Sequence, residues 1–260
     1  MELGRFEEAE AVFREMLEGD DSQQALGNRS LGLMNMYLGR YEEAREQLRQ
    51  AAVLHRTVGS ALSEMRNRLY LASALFATDS LDAARDQVDA AVELAHAASV
   101  APSWLANIGK VQARNGLLEG AEEVLQAAEG RLDESIQGDR ASVTLLEGEV
   151  ALARGEPEAA VEHFRTAHAL RENASALESL AYGLYRSGDL DAALGLYLEL
   201  LDQPELGWEA QDFWILSHVH VAEIYEELGD LPKAREYYEA LLRIWADGDP
   251  DLVLLQEVRE

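Results

Sequence analysis

The chain has 260 residues, 49 acidic against 22 basic, a formal charge of −27 and 48% hydrophobic content. That acidity repels phosphate backbones and anionic lipid surfaces, so neither nucleic-acid binding nor membrane association is expected, while the apolar content suffices for a packed core. The absence of cysteine excludes disulfides, thiolate metal sites and a cysteine nucleophile; with no apolar run of about 18 residues and no charged-then-apolar leader, a cytoplasmic location is expected, the alternative being an exported domain of a membrane-anchored protein.

Along the chain one pattern recurs seven times: Gly, an aromatic or Leu two places on, Ala three further, and an aromatic or aliphatic residue four beyond that. The first copy, Gly4, Phe6, Ala9 and Phe13, makes a leading half repeat over 1–18. A repeat over 24–57 turns at Gly39 and continues with Tyr41, Ala44 and Leu48. The next, over 60–98, turns at Asp79 before Leu81, Ala84 and Val88. Repeats over 101–131 and 140–171 turn at Gly116 (Leu118, Ala121, Leu125) and Gly155 (Pro157, Ala160, Phe164). Those over 174–203 and 208–247 turn at Gly188 (Leu190, Ala193, Tyr197) and Gly229 (Leu231, Ala234, Tyr238). A final stretch over 249–260, with Leu252, Leu255 and Val258 three apart, predicts a capping helix.

Each column has a physical use. The turn residue is expected in the left-handed conformation that ends one helix and starts the next. The alanine lets two helices approach closely, and the large residue one turn later fills the layer between repeats. Seven positions before most turns stands a second small residue: Gly32, Ala72, Gly109, Gly148, Ala181 and Ala222. Two helical turns separate it from the bend, where a first helix packs against its partner.

These residues closely resemble the tetratricopeptide repeat family over almost the whole chain. The resemblance implies an all-α fold, a right-handed α-solenoid of antiparallel helix pairs. About six full repeats follow the leading half repeat, and a C-terminal capping helix closes one superhelical domain. The turn spacings here are 35, 40, 37, 39, 33 and 41 residues, against about 34 for the family, so some helices or linkers are expected to be longer. The start within a repeat predicts a piece of a longer protein. Residues 208–260 also look like the closing repeats of large bacterial signalling proteins, in which a kinase or DNA-binding regulator precedes such an array. Ala222, Tyr225, Gly229, Ala234, Tyr238, Trp245 and Asp249–Leu252 carry that likeness.

Catalytic chemistry finds no foothold. The glycines stand singly at turns and form no phosphate loop. His218 and His220 point to different faces of one helix, and His163 and His168 are poorly spaced for a metal. The carboxylate pairs Glu7-Glu8, Glu42-Glu43 and Glu122-Glu123 read as solvated starts of second helices. No catalytic residue, cofactor or metal is therefore expected, and the chain is read as a non-enzyme.

In the family the first helices line a concave groove. The residues placed there are Arg29, Leu33, Met36, Arg66, Tyr70, Ser73, Asn107, Lys110, Arg114, Glu149, Tyr182, Arg186 and Glu223. The family's clamp for C-terminal carboxylates is not assembled. Function is read as a scaffold or adaptor for a protein or peptide of unknown identity, within a larger signalling protein. The alternative is a sensor for a small molecule or signalling peptide. Arg29, Arg66, Lys110 and Arg114 suggest a basic pocket for an acidic segment. The competing expectation is that they pair with glutamates of neighbouring helices.

Overall fold

The computed structural model describes residues 6–203, 211–250 and 252–259; the expected turn at Gly4 lies outside them. The described residues form fourteen helices. They are α1 (Phe6–Met16), α2 (Asp21–Tyr37), α3 (Tyr41–Thr57), α4 (Ala61–Ala77), α5 (Leu81–Ala97), α6 (Pro102–Arg114) and α7 (Leu118–Glu129). The remainder are α8 (Gln137–Ala153), α9 (Pro157–Leu170), α10 (Ala174–Ser187), α11 (Leu190–Asp202), α12 (Gln211–Glu227), α13 (Leu231–Ile244) and α14 (Val253–Arg259). Two compact units result, one of residues 1–99 with 242–260 and one of residues 100–241.

The bends sit at the expected residues. Gly39, Gly116, Gly155, Gly188 and Gly229 have φ between 74° and 83°, and Asp79 takes φ 54°. Aspartate is among the few non-glycine residues that tolerate this region, so the third copy keeps its turn without glycine. At each bend the residue after it donates its N–H five positions back, as from Arg40 to Asn35, Ser80 to Leu75 and Asp189 to Leu184. This bond satisfies carbonyls that the helix end would otherwise leave open. The 40-residue spacing from Gly39 to Asp79 follows from α3 and α4, each 17 residues long.

Close approach depends on the small residues. Ala44, Ala84, Ala121, Ala160 and Ala193 are fully buried, whereas Ala9, on α1, is only half-buried. In the second unit the Phe164 ring lies between two glycines of the first-helix layer. A Cβ built on Gly148 of α8 would stand 2.5 Å from that ring, and one on Gly183 of α10 2.7 Å from it. Burying such a side chain contributes about 1.5–3 kcal/mol, and here it requires that α8 and α10 present bare backbone. Phe164 joins Leu177, Leu180, Tyr197, Leu200 and Ile224 in one core. The large column is less uniform than the alanines: Leu48, Val88, Phe164 and Tyr197 are buried, but Leu125 and Tyr238 are half-buried.

The C-terminal stretch belongs to the first unit. Trp245 is 1% exposed and donates its indole N–H to the Tyr37 carbonyl at 3.0 Å, with Tyr41 edge-on at 6.3 Å between ring centroids. A side chain at Gly39 would meet this indole at 2.9 Å. The Asp249 N–H donates to the Gly39 carbonyl at 2.9 Å, and its carboxylate accepts from the Glu42 N–H at 2.8 Å. The N-cap Arg40 of α3 makes no side-chain capping bond, so Asp249, 207 residues beyond Glu42, supplies the missing acceptor. Leu252 and Leu255 are buried.

Candidate functional site

In the second unit the first helices α6, α8, α10 and α12 pack in succession, each touching the next. Side chains four residues apart share one helix face. That spacing stacks Lys110 and Arg114 on α6, Glu178, Tyr182 and Arg186 on α10, and Glu223 and Glu227 on α12.

The four innermost charges form one network. Lys110 Nζ lies 2.9 Å from Glu178 Oε2 and 3.6 Å from Glu149 Oε1. Arg114 donates from Nη2 to Glu149 Oε1 at 2.8 Å and from Nη1 to Glu178 Oε1 at 3.1 Å, and its Nε also meets Glu149. The Ser179 hydroxyl donates to Glu149 Oε1 at 2.7 Å and accepts from Lys110 Nζ at 2.9 Å. The Glu149 and Glu178 side chains are 0% and 6% exposed. Burial by itself would raise the Glu178 pKa, but the Arg114 and Lys110 charges outweigh it and hold the carboxyl at about 2. Burial likewise opposes the charge on Arg114, yet Glu149 and Glu178 lift its pKa above the ordinary guanidinium value.

Two cations against two carboxylates leave this network neutral. Of the two expectations for Lys110 and Arg114, pairing with glutamates of neighbouring helices is the one found, and the basic pocket is corrected there.

Above the network opens a cleft of about 410 Å³ lined by Tyr182, Tyr185, Arg186, His220, Glu223 and Glu227. Arg114 forms part of its support, with Cζ 3.9 Å from the Tyr182 ring centroid. The His220 ring stands 5.6, 5.8 and 5.1 Å from the rings of Tyr182, Tyr185 and Tyr197. Its Nδ1 lies 2.9 Å from Glu223 Oε2. The Tyr185 hydroxyl donates to Glu227 Oε1 at 3.0 Å, and Arg186 Nη1 donates to the Tyr182 hydroxyl oxygen at 2.9 Å. Burial and the nearby Glu223 and Glu227 carboxylates raise the Tyr185 pKa, so the phenol stays a hydrogen-bond donor.

The residues singled out in sequence thus meet different fates. Lys110, Arg114, Tyr182 and Arg186 come together, Arg186 exposed at the rim, while Asn107 is exposed on α6. In the first unit Arg29 and Arg66 are half-buried on α2 and α4. Burial, outweighing the bond from the His55 ring to the Ala51 carbonyl, and then the charges of Arg29 and Arg66 lower the His55 pKa. Met36 and Tyr70 pack against the core of Leu48, Leu71 and Leu75. Sequence reading did not place Glu178 or Glu227 at the site. A signal for Glu178 existed, since it begins the four-residue ladder to Tyr182 and Arg186. Trp214 belongs to the first turn of α12 and donates to the Leu201 carbonyl at 3.1 Å.

Paired antiparallel helices, left-handed bends and alanine crossings define an α-solenoid built from helix-pair repeats. Its first-helix layer carries an aromatic cleft over a neutral ion network. The tetratricopeptide repeat model matches residues 1–57, 29–102 and 145–206, and a second tetratricopeptide model matches 216–244. The chain belongs to the tetratricopeptide repeat family, whose members are protein-interaction scaffolds. No curated protein matches it by sequence. Among solved structures, the APC/C hetero-tetramer Cut9-Hcn1 is similar at a TM-score of 0.50 and 16% identity, over 97% of this chain and 46% of that one. PilF of Pseudomonas aeruginosa reaches 0.46 at 19% identity, over 91% and 98% of the two chains. YrrB, described as a TPR protein with an unusual peptide-binding site, reaches 0.43 at 20% identity, over 74% and 90%. Among the described residues no helix is long and apolar enough to cross a membrane.

Proposed function

We propose that this chain is an interaction scaffold whose second unit receives a segment of a partner protein on its first-helix layer, anchored at the Tyr182–His220 cleft. The cleft carries the reading. Tyrosine offers broad contact area with few rotatable bonds and a polar tip, which suits it to anchoring a partner. The ion network beneath holds Tyr182 in place, so little ordering cost remains when a partner arrives. In the first unit Arg29, Met36, Arg66 and Tyr70 are proposed as secondary contacts. The likeness of residues 208–260 to closing repeats of bacterial signalling proteins supports a place within such a protein, where the array supplies recognition and another region supplies chemistry.

Affinity capture from cells of the source organism tests this, with the double variant Tyr182→Ala/Tyr185→Ala run beside the wild type. A partner held stoichiometrically by the wild type and lost by the variant, with circular dichroism unchanged, is the expected result. Equal capture by both moves the contact surface elsewhere.

The cleft's size favours one second reading. About 410 Å³ is within the range of small-molecule sites, so a sensor role for a small ligand follows if thermal shifts respond to such compounds without any protein partner.

A further inference from the structure

The cleft also has a charge preference. The network beneath is neutral, so the sign is set by the rim, where Arg186 faces Glu223 and Glu227. Arg186 is engaged with the Tyr182 hydroxyl on the α10 wall. Glu223 and Glu227 stand one turn apart on α12. One oxygen of Glu223 engages His220 and one of Glu227 accepts from Tyr185. Among the described residues the second oxygen of each carboxylate takes part in no hydrogen bond.

Tyrosine faces also attract cations, by their ring quadrupoles. An anionic guest would meet the Glu223 and Glu227 carboxylates, with the exposed Arg186 guanidinium in its favour and the His220 ring already held by Glu223.

We propose that the cleft takes a cationic side chain, an arginine or lysine of the partner segment, between Glu223 and Glu227 and against the tyrosine rings. The proposal rests on the cleft being the partner-binding site, and it reverses the charge expected from sequence, where an acidic segment was the candidate.

Panning a random-peptide display library on the purified chain tests both layers separately. Selected peptides should carry a basic residue whose replacement by norleucine weakens binding about tenfold or more, and Glu223→Gln/Glu227→Gln should cost as much. Combining the two changes should cost no more than either alone, because they remove one interaction. Peptides that need Tyr182 and Tyr185 but bind Glu223→Gln/Glu227→Gln equally or more tightly, and are lost in Arg186→Glu, overturn the charge assignment while leaving the cleft in place. Peptides indifferent to Tyr182→Ala/Tyr185→Ala overturn the cleft itself. A library yielding no peptide counts against both.

Discussion

Glu178 is the branch point of the buried network, accepting from Lys110 and Arg114 together. Glu178→Gln keeps the shape but leaves two buried cations sharing Glu149, and removing one partner of a buried pair costs about 3–5 kcal/mol. Urea unfolding at neutral pH should show that loss, and an unchanged midpoint would mean the network adds nothing to stability. The pH dependence has a definite sign. The folded Glu178 pKa of about 2 lies below the ordinary 4.5. Its stabilising effect is complete above the ordinary value and is lost as pH falls from there towards 2. The stability gap between wild type and Glu178→Gln should therefore narrow across that window and persist at pH 7. At Gly183 the argument is steric. Gly183→Ala drives a methyl into the Phe164 ring and should cost about 1–3 kcal/mol, recovered in part by Phe164→Leu. Full tolerance of Gly183→Ala would show that α8 and α10 separate freely there.

Between elements, long-range contacts join the C-terminal stretch to the α2–α3 bend. Trp245 fills the space that Gly39 leaves open, and Asp249 caps α3. Trp245→Ala should destabilise by about 3–5 kcal/mol, as truncation of a buried large aromatic does. Asp249→Ala, which loses one capping acceptor, should cost about 1 kcal/mol. The ordering of the two in urea midpoints is the check: a larger loss for Asp249→Ala would mean that the cap, rather than the indole, holds this segment. Deleting residues 249–260 uncovers the surface around Gly39 and Glu42 that this segment occupies. Sedimentation velocity should then show self-association that the intact chain lacks.

For the whole molecule, the excess of carboxylates dominates. A charge of −27 spread over 260 residues destabilises the compact state through self-repulsion. Raising salt from about 0.01 M to about 1 M shortens the Debye length from about 30 Å to about 3 Å, which screens exposed charges far more than the buried network. The melting temperature should rise over that range. A fall would show that paired charges contribute more than the surplus carboxylates cost.

The bends, the alanine crossings and the helix-pair architecture were legible in the sequence because each depends on neighbours within about two helical turns. A left-handed φ at Gly188 or Asp79, and a bare face at Ala160, are local requirements that recur with the repeat. The set Lys110, Arg114, Tyr182 and Arg186 was also readable as one helix face per repeat. Which glutamates they meet was not. Lys110 finds Glu178 68 residues away, and Trp245 finds Tyr37 208 residues away. Spacing tells which side chains share a face of one helix. Which face of another helix they meet depends on how the packed side chains interdigitate and tilt the helices, and that is decided only when the core closes.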